Sequence, residues 1–153
     1  MIVTLDYDPD VNELAWAKSV IDAHPDYNVI LTTHSYFDHD LTFNDAGNSI
    51  YNAIVSKCNN VVLVLCGHRY PQDEDGDYGP RYSTTTRDDG SKVTQMMINP
   101  QAYESTRNES TGMIAMLYFS KDGKNVQLKY FSARNEMYYK DNFQFELELD
   151  LVD

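Results

Sequence analysis

Short apolar runs alternate with amphipathic segments in the first half of the chain. The apolar runs are Ile2 to Tyr7, Val29 to Thr33 and Val61 to Cys66. Between them, apolar residues recur at helical spacing through about Ala23 and again from Ser49 to Lys57. Continuous apolar strands are typical of parallel sheets that helices cover on their faces. The pattern therefore predicts a β-α-β-α-β start on a sheet.

The first predicted helix has recognisable ends. Asp10 and Glu13 form an Asp-x-x-Glu capping pattern, in which a carboxylate accepts N–H groups of the first turn. Pro25 cannot continue a helix, and His24 just before it is predicted to cap the last carbonyl groups. These signals place the helix between about residues 10 and 23.

The second half of the chain has a different pattern. We predict two polar loops, at 35–47 and, longer and more acidic, at 69–92. Four strands are predicted after them: Val93 to Ile98, Met113 to Ser120, Asn125 to Ser132 and Phe143 to Leu149. Asp122 and Gly123 are typical of a hairpin turn between the middle two strands. The fold class is thus α/β, a mixed sheet with antiparallel C-terminal strands, in a single domain over 1–153.

Charge and hydropathy limit the partners. The chain of 153 residues has a formal net charge of -12, which repels nucleic-acid phosphates and anionic membranes. No stretch of the sequence reaches the ~20 apolar residues of a membrane span, and its first residues lack the features of a signal peptide. We therefore expect a soluble protein with no nucleic-acid or membrane partner, of unknown cellular location.

Two of the buried strands run directly into a histidine. His34 follows the strand that starts at Val29, and His68 follows the strand that starts at Val61. Ligands of open α/β sheets gather at the carboxyl ends of parallel strands. Gly67 allows the backbone to turn sharply beside such a ligand. We therefore predict that His34 and His68 share one metal ion or anion.

Other polar residues are weaker candidates. Cys58 and Cys66 lack the spacing of a disulfide framework or zinc site, so they are predicted to be small buried side chains. The acidic run 73–77 is not followed by the glycine and glutamate that an EF-hand loop requires at its sixth and twelfth positions. We predict that this run, like His39, is solvated.

The strand-end motifs resemble those of a known family. Thr33-His34-Ser35, followed one crossover later by Leu65-Cys66-Gly67-His68, is similar to the last two motifs of the calcineurin-like metallophosphoesterases. The likeness includes Leu14-Ala15-Trp16-Ala17 in the first helix and Tyr130-Phe131-Ser132 with Asn142-Phe143 near the end. It implies that the chain is the C-terminal half of that sandwich fold. It also implies that His34 and His68 are ligands of one divalent metal, such as Mn, Fe or Zn, of a pair.

The sequence departs from the family pattern at several motifs. Tyr70 stands where the second histidine of Gly-His-x-His is expected, and Asp-x-His, Gly-Asp-x-x-Asp and Gly-Asn-His-Glu are absent at strand ends. A two-metal centre needs a bridging carboxylate and oxygen ligands. We therefore expect hydrolysis of a phosphoester substrate only with a completing N-terminal segment or partner. Arg69 is a candidate to hold the substrate phosphate through its guanidinium fork.

Two functions remain open at this point. The retained pair of His34 and His68 favours a portion of a phosphoesterase. The alternative is a non-catalytic remnant or interaction module, which Tyr70 favours, binding a protein or glycan through its twelve tyrosines and long loop. A half-domain exposes a sheet that its partner covers, so self-association is expected. The family resemblance allows a bacterial secreted or surface origin.

Overall fold

A computed structural model describes residues 1–70, 79–101, 112–139 and 144–152 and has a mixed α/β architecture. The first sheet has five strands: β1 (Ile2–Thr4), β2 (Val29–Thr32), β3 (Val61–Cys66), β4 (Arg81–Thr86) and β5 (Lys92–Met97). Their order in the sheet is β1-β2-β3-β5-β4, and all are parallel except β4. The predicted parallel start is confirmed. Four carboxyl ends therefore meet at one edge.

The helices pack on one face of this sheet. Helix α1 (Val11–Asp22) is capped by Asp10, whose carboxylate accepts the N–H of Asn12 and of Glu13 at 2.8 Å each. At its other end, the Nδ1 atom of His24 lies 2.8 Å from the carbonyl of Val20, which confirms the predicted cap. Helix α2 (Asp45–Ile50) continues into a π-helical turn, Tyr51–Val55. No helix of the described residues is long and apolar enough to cross a membrane.

A second, antiparallel sheet covers the other face of the first. It contains β6 (Met113–Phe119), β7 (Asn125–Ser132), β8 (Met137–Tyr138) and β9 (Phe145–Glu148). Strand β7 pairs with all three others. Val62 and Leu63 both pack into the core between the sheets, because the register of β2 against β3 shifts at this point. The predicted antiparallel continuation is thus a separate layer.

The prediction that 69–92 is a loop is wrong for its later part. Arg81–Thr86 forms β4, an edge strand paired with β5, and residues 71–78 lie outside the described part of the chain. The strand is rich in hydroxyl side chains, and Thr84 contacts Thr94 across the pair at 3.4 Å between their oxygens. Threonine favours strands, but the acidic residues that precede this strand in the sequence led to the prediction of a loop over the whole of 69–92.

The predicted polar loop at 35–47 also contains core residues. Tyr36 and Phe37 are fully buried, and the Tyr36 hydroxyl donates to Oε1 of Gln95 at 2.6 Å. Helix α2 begins at Asp45, four residues earlier than predicted, because the Asn44 side chain caps the N–H of Gly47 at 2.9 Å. The two cysteines are buried and free, as predicted.

Candidate metal centre

Four side chains follow the parallel strands at the edge where their carboxyl ends meet. Tyr7 comes shortly after β1, His34 after β2, His68 after β3 and Asn99 after β5. His34 and Tyr7 are exposed, whereas His68 and Asn99 are half-buried. The structure thus brings the two predicted histidines together. It adds two residues, Tyr7 and Asn99, that the sequence analysis did not single out.

Three of these rings form a nearly equilateral group. The ring centres of His34 and His68 are 5.2 Å apart, and that of Tyr7 is 5.0 Å from His68 and 5.7 Å from His34. Two imidazoles that share a cation through bonds of about 2.0–2.1 Å have ring centres about 5 Å apart in tetrahedral geometry. The spacing of His34 and His68 therefore fits two ligands of one metal ion.

Tyr7 is hydrogen-bonded to one of the imidazoles. Its hydroxyl lies 3.1 Å from Nε2 of His68. A neutral imidazole donates from one ring nitrogen and accepts at the other, so the phenol can bond either tautomer. A cation that binds His68 through Nε2 must first displace the Tyr7 hydroxyl.

The backbone of His68 has an unusual conformation. Its φ is 64°, in the left-handed region that non-glycine residues rarely adopt. The N–H of Arg69 donates across it to the carbonyl of Gly67 at 2.8 Å. The side-chain nitrogen of Asn99 lies 3.2 Å from the carbonyl oxygens of both His68 and Arg69. The loop after β3 is therefore bonded directly to the end of β5.

The surroundings of His68 favour its neutral form. Burial, the neighbouring His34 and the positive charge of Arg69 all lower the pKa of His68. The ring is therefore mainly neutral at pH 7, which is the form that binds metals. No opposing carboxylate is among the causes of this shift.

An open cavity of about 490 Å³ lies beside the two histidines. This volume is within the range of small-molecule sites. Its wall includes His34, His68, Tyr70, Asn99 and Gln101. A small molecule has room to reach the histidine pair from this side.

The candidate substrate residues have partners of their own. Nε of Arg69 lies 3.4 Å from a carboxylate oxygen of Asp38, and both side chains are about half exposed. The backbone carbonyl of Tyr70 lies 2.8 Å from Nδ1 of His39. His39 is exposed, as predicted, but this bond ties its loop to the segment that follows His68. Tyr70 lines the cavity, and Arg69 is absent from its wall.

In the parts of the chain that the structure describes, no His, Cys, Asp or Glu joins His34 and His68 as a third ligand. No group of three or more His, Cys, Asp or Glu residues there is arranged to hold a metal ion. Cys66 lines the cavity, but burial raises the pKa of its thiol to about 12. Its Sγ lies 3.5 Å from the carbonyl of Met96, which fits a protonated thiol. Among the described residues, His34 and His68 therefore fit two ligand positions of a metal site whose other ligands are not identified.

Comparison with known proteins gives one informative likeness. An uncharacterized protein of Bacillus subtilis (strain 168), YvnB, is 28% identical over 153 residues. The match covers 90% of this chain but only 11% of the Bacillus protein. No protein-family profile and no solved structure matches the chain. The chain is thus similar to a small part of a much longer protein whose name states no activity.

Proposed function

We propose that this chain is the C-terminal portion of a metal-dependent phosphoesterase related to the calcineurin-like family. In this proposal His34 and His68 bind one metal ion of the catalytic centre. The observation that carries it is the 5.2 Å separation of their ring centres at the ends of neighbouring parallel strands. The adjoining cavity supports it, as does the lowered pKa of His68, which favours the neutral, metal-binding form.

The residues that the structure describes supply only part of such a centre. Two neutral imidazoles suit Mn, Fe or Zn, but a dinuclear site also needs carboxylate oxygens, one of which bridges the metals. We assign those ligands to a segment outside this chain, and Tyr70 leaves the second metal without the family's usual histidine. Bound metal would polarise the phosphoryl group and activate water. The great length of the Bacillus relative is compatible with a completing segment.

Arg69 and Tyr70 have separate roles in this proposal. Arg69 is half exposed and pairs with Asp38 through a contact of 3.4 Å, a type of surface ion pair that is weak. A phosphate oxygen can replace that carboxylate, because the guanidinium fork binds phosphate in two-pronged geometry. Tyr70 lies in the cavity wall, where its side chain limits the size of the ester group.

A second function, the binding of a glycan or protein, is favoured by the outer face of the second sheet. The hydroxyls of Tyr118 and Tyr138 lie 3.1 Å apart, and the ammonium of Lys129 lies 5.7 Å and 5.3 Å from the centres of their rings. Ile114 on the same strand as Tyr118 is 48% exposed. Exposed aromatic rings of this kind are common in recognition surfaces. The cavity beside the histidine pair is not lined by Tyr118, Lys129 or Tyr138, so the two functions are compatible.

Zinc titration by calorimetry tests the proposed metal site. We expect one weak binding event in the wild-type chain and an increase of at least tenfold in Kd in His34→Ala and in His68→Ala. His24→Ala is the matched control, since the side chain of His24 contacts Val20 and Tyr27 at the end of α1 and in the adjoining turn, and its Kd is expected to match that of the wild type. Equal zinc affinity in all four proteins would remove the site.

The reading frame upstream of Met1 gives an independent test of the completing segment. We expect three motifs to be encoded there, in this order: Asp-x-His, Gly-Asp-x-x-Asp and Gly-Asn-His-Glu. A protein that includes them is expected to hydrolyse a chromogenic phosphoester in the presence of manganese and to lose this activity in His34→Ala. A reading frame without these motifs would contradict the proposal that the protein is a phosphoesterase.

A further inference from the structure

We infer that Asn99 is a positioning residue for His68: its amide holds the loop after β3 in the conformation that brings the His68 imidazole to His34. The consequence for metal binding rests on the proposed function, whereas the effect on the position of the ring does not. Asn99 belongs to none of the motifs that carry the family resemblance.

His68 needs such support because of its backbone. The left-handed φ of 64° is disfavoured for a residue with a Cβ atom, and such conformations persist where the surroundings fix them. Two bonds between backbone groups hold the loop before and across His68: Gly67 N–H to the His34 carbonyl at 3.1 Å and Arg69 N–H to the Gly67 carbonyl at 2.8 Å. Neither bond involves the carbonyl of His68, which follows the Cα atom of this strained residue.

The side-chain amide of Asn99 contacts the carbonyls of His68 and Arg69. Its nitrogen lies 3.2 Å from the carbonyl of His68 and 3.2 Å from that of Arg69. Its oxygen accepts the N–H of Gln101 at 3.1 Å. Because both ends of the amide have partners of matching polarity, its orientation is defined. One side chain thus joins the two peptide groups on the C-terminal side of the His68 Cα atom.

The end of β5 is a rigid base for this side chain. The N–H of Ile98 donates to the carbonyl of Cys66 at 2.8 Å, which continues the pairing of β3 with β5 beyond the strands. A Cβ atom on Gly67 would lie 3.2 Å from the carbonyl of Ile98, so the two loops are in close contact. Asn99 therefore acts from a fixed position, one residue beyond this contact.

Asparagine has the chemistry that this position requires. Its nitrogen donates to two carbonyls while its oxygen accepts one N–H. Leucine has a similar shape and neither function, so Asn99→Leu removes the bonds with little change in volume. Asn99→Ser keeps a short oxygen acceptor for the N–H of Gln101 but cannot reach the two carbonyls. Asn52→Leu, at an exposed helical position, controls for the change of residue type.

NMR on the metal-free chain tests the positioning directly. We expect nuclear Overhauser contacts between the ring protons of His68 and those of His34 and Tyr7 in the wild type and in Asn52→Leu. These contacts are expected to disappear in Asn99→Leu and Asn99→Ser while the remaining amide spectrum stays dispersed. If Asn99→Leu does not fold, the ring contacts of His68 in Asn99→Ser test the inference. Ring contacts that persist in a folded Asn99 variant would overturn the inference.

A double-mutant cycle links the inference to metal binding. Asn99→Leu is expected to raise the Kd for zinc at least fivefold in the wild-type background and less than twofold in His68→Ala, because Asn99 acts only through His68. Equal effects in the two backgrounds would contradict action through His68. If the wild type binds no zinc, the proposed function fails, and the ring contacts still decide the role of Asn99.

Discussion

At the scale of single residues, the strand-end rule located His34 and His68 but not their neighbours. A histidine directly after an apolar strand is visible in the sequence. Tyr7 was predicted to be part of a strand, yet β1 ends at Thr4 and leaves Tyr7 beside the histidines. Asn99 reaches His68 only because β5 pairs with β3. That pairing is a tertiary feature, and no local pattern around Asn99 indicates it.

Tyr7→Phe is expected to strengthen zinc binding. The phenol hydroxyl bonds to Nε2 of His68 at 3.1 Å, and the cation must displace it. A net hydrogen bond of about 0.5–1.5 kcal/mol corresponds to a decrease in Kd of about two- to tenfold. Calorimetric zinc titration measures this, with Tyr27→Phe, an exposed tyrosine, as the control. Weaker binding by Tyr7→Phe would show that the phenol oxygen helps to hold the cation.

At the scale of elements, the strongly apolar segments were predictable and the mixed ones were not. The bounds predicted for β7, Asn125 to Ser132, agree with the structure. Strand β4 and the start of α2 were missed, because their sequences contain few apolar residues. Their positions depend on contacts made elsewhere: β4 on pairing with β5, and α2 on the cap by Asn44 and the buried Tyr36.

Gly47→Ala is expected to destabilise the fold strongly. A Cβ atom at Gly47 would lie 1.9 Å from the carbonyl oxygen of Tyr36, so α2 or the Tyr36 backbone must move. Overpacking of this kind costs about 1–3 kcal/mol, and a backbone obstacle places the change at the upper end. Urea unfolding measures the effect. Ser49→Ala, on the exposed side of the same helix, is expected to stay within about 0.5 kcal/mol of the wild type.

Arg87, buried at the end of β4, is expected to be another sensitive position. Its guanidinium donates to the carbonyls of Val55, Val61 and Lys92, which belong to separate parts of the fold. Arg87→Met leaves these carbonyls without their donor, at a cost of at least about 3 kcal/mol in the free energy of unfolding. Urea denaturation checks this value against Arg81→Met, at the half-exposed start of the strand. A loss below about 1 kcal/mol would contradict the structural role.

At the scale of the whole molecule, the alternation of strands and helices was sufficient to predict a mixed α/β fold. It did not predict that the C-terminal strands form a separate sheet behind the first. Val62 and Met96 on the first sheet and Leu128 on the second make one core. The sequence shows only that each of these residues is apolar, since continuous apolar strands do not reveal which layer covers which face.

Self-association is expected through the edge of the first sheet. Within the described residues β1 pairs only with β2 and is therefore an edge strand of the first sheet, and the side chain of Ile2 on this strand is 68% exposed. An exposed apolar edge strand favours pairing with a second copy. Sedimentation velocity is expected to show concentration-dependent dimers that Ile2→Lys abolishes. Val11→Lys, at a 76% exposed helix position, is the control. A wild-type monomer at all concentrations would exclude this interface.

The imidazole nitrogens report whether His34 and His68 bind one cation together. Long-range ¹H–¹⁵N spectra follow all four histidines while zinc is added to the metal-free chain. We expect one ring nitrogen of His34 and one of His68 to shift together, with the same midpoint, while those of His24 and His39 stay in place. Shifts in only one of the two rings, or in neither, would contradict a shared metal site.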